Sequence, residues 1–160
     1  MLDSQTLQII FQILLALVLG MIIGIEREHR KKSAGMRTFA LVSLGSALFT
    51  IISVNGFQNF VSISSYDPSR VVSQIVVGIG FIGAGLIFLK ENKVQGLTTA
   101  AGLWATAAIG ASVGLRLYFL AIFAALAVLF VLWLLRAIEN KIPRVNENNT
   151  TPDKYDAPLS

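Results

Sequence analysis

The chain has 160 residues, of which 54% are apolar and 14% charged, with a formal net charge of +4. Soluble globular domains average about 25% charged residues, so this balance, with a mean hydropathy of +0.70, excludes an ordinary water-soluble fold. The length fits one domain, and the absence of cysteine removes disulfides, thiolate chemistry and sulfur-ligated metal.

Five mostly apolar runs of 17 to 19 residues follow one another: Leu7 to Ile25, Thr38 to Val54, Val71 to Leu89, Leu97 to Val113 and Leu117 to Leu135. About 20 apolar residues cross the roughly 30 Å of a bilayer's hydrocarbon as a helix, so each run can span with little tilt to spare. Asp3 and no basic residue precede the first run, and a basic loop follows it instead of a cleavage site. It therefore reads as a retained span and not as a signal peptide. Gly20 and Gly24 give it a G-x-x-x-G pair, the spacing that lets helix backbones approach in lipid.

The segment Glu26 to Arg37 has the densest charge in the chain. The helix of run 1 is expected to continue for about a turn and break at Ala34-Gly35, since glycine is a poor helix interior and a good cap. Glu26, Glu28 and Arg37 are candidates for an ion-pair network at a cytoplasmic rim; the simpler reading is an orientation anchor. After run 2, Asp67-Pro68-Ser69-Arg70 carries the signals of a helix start, with Asp67 as N-cap and Pro68 at the first helical position. Arg70 lies near enough in sequence to pair with Asp67, and a ligand or partner contact there is the sharper alternative.

Run 3 holds Gln74 and the glycines Gly78, Gly80, Gly83 and Gly85, which fit G-x-G-x-x-G. A dinucleotide site needs a strand-turn-helix unit and an acid about 20 positions on. No Asp or Glu occurs between Glu91 and Glu139, so these glycines read as helix-packing positions. Run 4 is poor in large side chains. Thr99, Gly102, Thr106 and Gly110 recur at helical spacing as a small, hydroxyl-bearing stripe, and Gly110 with Gly114 forms another G-x-x-x-G pair. Such a helix gains from being surrounded, whereas run 5, dense in Leu, Phe and Val with Tyr118 and Trp133 near its ends, suits lipid. Runs 3 and 4 are thus expected at the packed centre. The tail from Asn140 is rich in proline and polar residues and is expected to be a disordered cytoplasmic segment, 140–160, after a transmembrane domain over 1–139.

Charge orients the whole. The segments Glu26 to Arg37, Lys90 to Gly96 and Arg136 to Ser160 hold 11 of the 13 Lys and Arg, while only Arg70 and Arg116 fall in the alternate gaps. Basic residues stay cytoplasmic. The expectation is an all-α membrane protein, a compact bundle of five transmembrane helices with its N-terminus out and C-terminus in. Cations beside membrane spans are accounted for by the lipid bilayer's anionic heads, so no nucleic acid is expected as a partner.

Intramembrane ionisable residues are the usual pointers to transport or proton relay, and none falls deep in a run. A hard cation such as Mg²⁺ wants carboxylate or other oxygen ligands, yet the interior offers only Gln74, threonine hydroxyls and glycine carbonyls. His29, the sole histidine, lies in the basic loop. No nucleophile-base-acid set can be assembled, so the expectation is a non-enzyme with no cofactor and no resident metal.

Ile23-Gly24-Ile25-Glu26-Arg27-Glu28, Ala34-Gly35-Met36-Arg37-Thr38, Asp67-Pro68-Ser69-Arg70, Gly78 to Gly85 and Gly96-Leu97-Thr98-Thr99-Ala100-Ala101 occur in that order, followed by Trp104 and Ala108-Ile109-Gly110. This ordered set resembles the membrane domain of the MgtC/SapB family over roughly residues 7 to 138. The resemblance implies a bacterial or archaeal inner-membrane protein tied to growth at low Mg²⁺ and, in pathogens, to survival in macrophages. It also implies a regulatory role, including restraint of the F-type ATP synthase through its membrane sector, with a small membrane peptide as another partner. Many members carry Arg where this chain has Gln95, some carry Asn where it has Thr98, and many add a soluble C-terminal domain, so roles resting on those features do not transfer.

The leading reading is a non-enzymatic regulator that docks a partner helix against the small residues of runs 3 and 4. The alternative is a small ion (Mg²⁺) transporter or channel component lined by glycine carbonyls, Gln74, Thr99 and Thr106 and entered near Asp67. A purely structural subunit is a third possibility, and a homo-oligomer is compatible with each.

Overall fold

The computed structural model describes residues 3–56, 67–90 and 92–139, with side chains as far as residue 134. Five helices form: α1 (Ser4–His29), α2 (Met36–Asn55), α3 (Ser69–Ala84), α4 (Leu97–Gly114) and α5 (Tyr118–Glu139), with a two-stranded antiparallel hairpin, β1 (Phe88–Lys90) and β2 (Lys93–Gln95), between α3 and α4. Three of them, α1, α2 and α4, are long and apolar enough to cross a membrane. The tail expected from residue 140 lies outside the described residues.

Helix α1 does run about a turn beyond its apolar run, and the chain re-enters helix at Met36, just past Gly35. Run 3 departs from expectation: its helix stops at Ala84, and Phe88 and Leu89 belong to β1. Gly83 and Gly85 bracket the end, and Leu86 and Ile87 close it with tight backbone turns. Lys90 pairs with Lys93 and Leu89 with Val94 across a two-residue turn, with Asn92 in the left-handed region at φ 58° that Asn tolerates better than most residues. Gly96, at φ 93°, turns the chain into α4, where a β-carbon would run into the Leu86 carbonyl.

The helices alternate in direction. Gly24 of α1 lies against Met36 at the start of α2, and Gly20 against Phe39 and Ser43. Gln12, near the other end of α1, meets the end of α4 at Val113 and Gly114. Ser53, near the end of α2, bonds the Pro68 carbonyl ahead of α3. One end of the bundle thus gathers Arg30, Lys31, Lys32, Arg37, Lys90 and Lys93, and the opposite end Asp3, Asp67, Arg70 and Arg116.

The core is built from α1, α2 and α4, with one face of α5 (Ala121, Ala125, Leu132) closing the side. The expected centre of runs 3 and 4 is half right. Helix α4 is surrounded, but α3 is peripheral and buries only Ile79 and Gly83. Burial is inverted relative to a soluble protein. Gln12, Ser43, Ser46, Thr50, Ser53, Thr99 and Thr106 are inside, while Leu7, Phe11, Leu41, Phe49, Phe81, Phe119, Phe123 and Trp133 lie outside. Large apolar side chains facing outward on every helix suit hydrocarbon as the surrounding solvent.

Candidate functional site

Three features could carry function: a polar seam, a charged rim and an open groove. The seam lies where α1, α2 and α4 meet. A β-carbon at Gly20 would sit 2.5 Å from the Phe39 carbonyl oxygen, one at Gly110 would strike the Ser43 backbone, and one at Gly114 would lie 2.6 Å from Thr50. A Gly102 β-carbon would press the Phe39 ring at 3.3 Å. Glycine is required there by close approach, and the approach brings hydroxyls inward. Thr50 donates to the Ser46 carbonyl at 2.8 Å, Thr106 to the Gly102 carbonyl at 2.8 Å, and both bonds satisfy the hydroxyl within its own helix. Gln12, fully buried, donates from Nε2 to the Val113 and Gly114 carbonyls, each at 2.9 Å. Those carbonyls belong to the last turn of α4, where the helix itself supplies few donors, although the Val113 carbonyl also accepts the Arg116 N–H at 2.9 Å. Gln12 Oε1, Ser43 Oγ and the Tyr118 hydroxyl have no protein partner among the described residues.

At the cation-rich rim, Glu26 pairs with Arg27 and, at 3.3 Å, with Arg30. Arg27 is buried at 3% exposure, a position a cation holds only with a partner. Glu28 does something else: its Oε2 accepts the Met36 backbone N–H at 2.9 Å and so caps α2 from eight residues upstream. A side chain at Gly35 would lie 2.9 Å from that carboxylate. The expected network of Glu26, Glu28 and Arg37 is therefore not formed. Among the described residues Arg37 makes no ion pair, because Glu26 is held by its own helix and Glu28 by the α2 backbone.

At the opposite end Asp67 Oδ1 accepts the Ser69 N–H at 2.9 Å, so it serves the start of α3 with the helix beginning one residue beyond Pro68. The Ser69 hydroxyl, then its N–H, and more weakly the Arg70 charge hold the Asp67 carboxyl below its ordinary value. Asp67 and Arg70 do not form an ion pair among the described residues. Thr99 is buried, whereas Thr98 is exposed.

The groove runs between α2 and α3, with a volume of about 860 Å³, lined by Leu41, Val42, Phe49, Ile75, Ile79 and Ile82, with Thr38 at one end and Arg70 and Gln74 at the other. Gly45 and Gly78 line it, and a β-carbon at either would meet nothing within 4 Å. Gly80 is equally open but lies off the groove. Gly83 makes ordinary contact with Ala100 at 3.5 Å, and Gly85 touches only its own helix end. The glycines of run 3 thus do not draw helices together within the described chain, apart from Gly83 against α4.

Sequence reasoning missed the roles of Gln12, Ser43, Arg27, Gly45 and Gly96. An amide inside an apolar run was a signal for Gln12, and the small residues at 43, 46, 47 and 50 were a helical stripe on α2. Nothing local marks Gly96, whose need for glycine comes from the hairpin ahead of it.

An inverted helical bundle with a glycine-tight polar seam, and with no cluster of metal-binding side chains among its described residues, defines a small integral membrane protein. The model of the MgtC family matches residues 13–141, and the chain belongs to that family. It is 45% identical over 130 residues to the putative magnesium transporter YhiD of Escherichia coli K12, covering 80% of this chain and 60% of that one. It is 43% identical over 118 residues to the protein SrpB of Synechococcus elongatus, covering 68% and 64%. It is 41% identical over 133 residues to the protein MgtC of Salmonella typhimurium LT2, covering 83% and 54%. The chain thus spans less than two thirds of the length of these relatives. No solved structure matches it.

Proposed function

We propose that this protein is a non-enzymatic, multi-pass protein of the inner membrane, linked to Mg²⁺ limitation, that regulates a membrane partner by receiving one of its helices in the α2–α3 groove. All five helices cross, with the N-terminus out and the cation-rich rim in the cytoplasm. The family's relatives named for magnesium transport and the inward sorting of basic residues support that frame.

The observation that carries the docking reading is the pair Gly45 and Gly78. Glycine in a helix costs about 1 kcal/mol relative to alanine, and neither residue is used for packing within the described chain. Glycines facing an apolar groove are what a third helix needs for backbone approach. The docking surface is therefore α2 with α3, and not α3 with α4, whose stripe is consumed inside the bundle. The membrane sector of the F-type ATP synthase is the partner the family resemblance implies. In cells at low Mg²⁺, Gly78→Leu should abolish co-recovery of that sector, while Gly80→Leu, off the groove, should not. Equal recovery with both variants refutes the docking site.

The seam supports a second reading, a small Mg²⁺ transporter, because it lays hydroxyl and amide oxygens along the bundle axis and a relative carries a transporter's name. Most of those oxygens are engaged with backbone, and no carboxylate joins them. Protein-dependent Mg²⁺ flux into vesicles, lost on Thr106→Val, would put this reading first.

A further inference from the structure

The hairpin between α3 and α4 has no part in the seam, the groove or the charged pairs, and its residues are exposed throughout both strands. Helix α3 has 16 residues, about 24 Å at 1.5 Å per residue, against about 30 Å of hydrocarbon. With its start fastened beside the end of α2, its other end falls short of the cytoplasmic boundary. The connection from Gly85 to Ile87, between α3 and β1, must make up the difference. The hairpin's strands leave edge N–H and C=O groups unpaired, which hydrocarbon does not tolerate, so the hairpin belongs at the level of the lipid headgroups.

Its side chains sort for that position. Leu89 and Val94 are directly opposed on one face and are 69% and 57% exposed. Lys90 and Lys93 are opposed at the tip, on the other face. Like charges directly across a ladder destabilise it, unless an anion lies between them. Glu91, the acid between the strands in sequence, is outside the described residues. Gly96 and Leu86 hold the base of the hairpin too closely for any β-carbon, so its placement is fixed relative to α4.

We infer that the β1–β2 hairpin is a binding site for an anionic phospholipid of the cytoplasmic leaflet, with the headgroup phosphate between Lys90 and Lys93 and the acyl chains against Leu89 and Val94. The inference rests on the reading of the chain as membrane-spanning with this end inside. A lysine near an anionic surface contributes about 1 kcal/mol, so the pair together gives roughly 30-fold in lipid retention.

The test uses the full chain reconstituted in phosphatidylcholine vesicles containing phosphatidylglycerol, then extracted in mild detergent, with retained lipid read by native mass spectrometry. Wild type should retain phosphatidylglycerol, and the Lys90→Gln/Lys93→Gln double variant should lose most of it, while Lys31→Gln/Lys32→Gln loses less. Inorganic phosphate in excess should not displace the lipid; displacement would mean a free-anion site and overturn the assignment. Equal retention by wild type and the hairpin variant, both inserted and equally helical, would also overturn it. Because the chain has no cysteine, Leu89→Cys can carry a depth-sensitive fluorophore. Quenching by acyl-chain quenchers near the headgroup is expected, and quenching only from water would refute the placement. Failure of wild type to enter vesicles at all would instead sink the membrane reading on which this stands.

Discussion

Helices α3 and α4 are both rich in glycine, yet they use it in opposite ways. In α4, Gly110 and Gly114 face Ser43 and Thr50 with no room for a methyl group, and a β-carbon at Gly102 would press the Phe39 ring. In α3, Gly78 and Gly80 face nothing. The same residue type marks a close helix–helix approach in one helix and an unfilled surface in the other. The lesson is that a small-residue pattern identifies surfaces where backbones can meet, without saying whether the partner is in the same chain.

Substitutions can break or sharpen this contrast. The largest effect is expected at Gly110, where a leucine would collide with the Ser43 backbone, which has no flexible end to move. Overpacking of this kind costs about 1–3 kcal/mol and occasionally more, so Gly110→Leu should show the largest loss of stability, read by thermal unfolding in detergent. Gly20→Ala meets the Phe39 carbonyl and the Ser43 β-carbon and should cost about 2 kcal/mol by the same assay. Gln12→Leu removes the side-chain donor from the Val113 and Gly114 carbonyls, of which Val113 keeps the Arg116 N–H, and should cost about 1–2 kcal/mol. Gly78→Ala should leave the unfolding temperature unchanged or raise it slightly, since it relieves a helix glycine without a clash; a clear loss would mean that α3 is packed where the groove shows space. The smallest effect belongs to Asp67. Its lowered carboxyl value means that its contribution is present above the ordinary value of 3.8 and is lost only as pH falls through the lower folded value. Asp67→Asn should therefore be slightly less stable than wild type between about pH 5 and 8, with the two converging in strong acid.

Much of this fold was legible in the residues. The apolar runs located all five helices, because lipid imposes a length on them, and the hydroxyl stripe of α4 announced a surrounded helix. What escaped was set by contacts distant in sequence. The end of α3 at Ala84 depends on a hairpin that Gly96 closes, and an apolar run as continuous as Val71 to Leu89 conceals the switch from helix to strand. The candidate site was read less well. Glu28 is an acid in a charged loop by sequence, and only the fold shows it capping α2, since a cap eight residues away has no local spacing rule. Asp67 was read near its place because its cap is local.

The position of α4 has a consequence for biogenesis. A ribosome delivers α1 and α2 first, joined through a loop that Glu28 and Gly35 already hold, and α3 emerges before α4. On the proposed reading that every helix crosses, helix α4 must wedge itself between neighbours made before it. A helix surfaced with Gly, Ala and Thr can slip into that notch without displacing bulky groups, so late arrival is a demand that its smoothness answers.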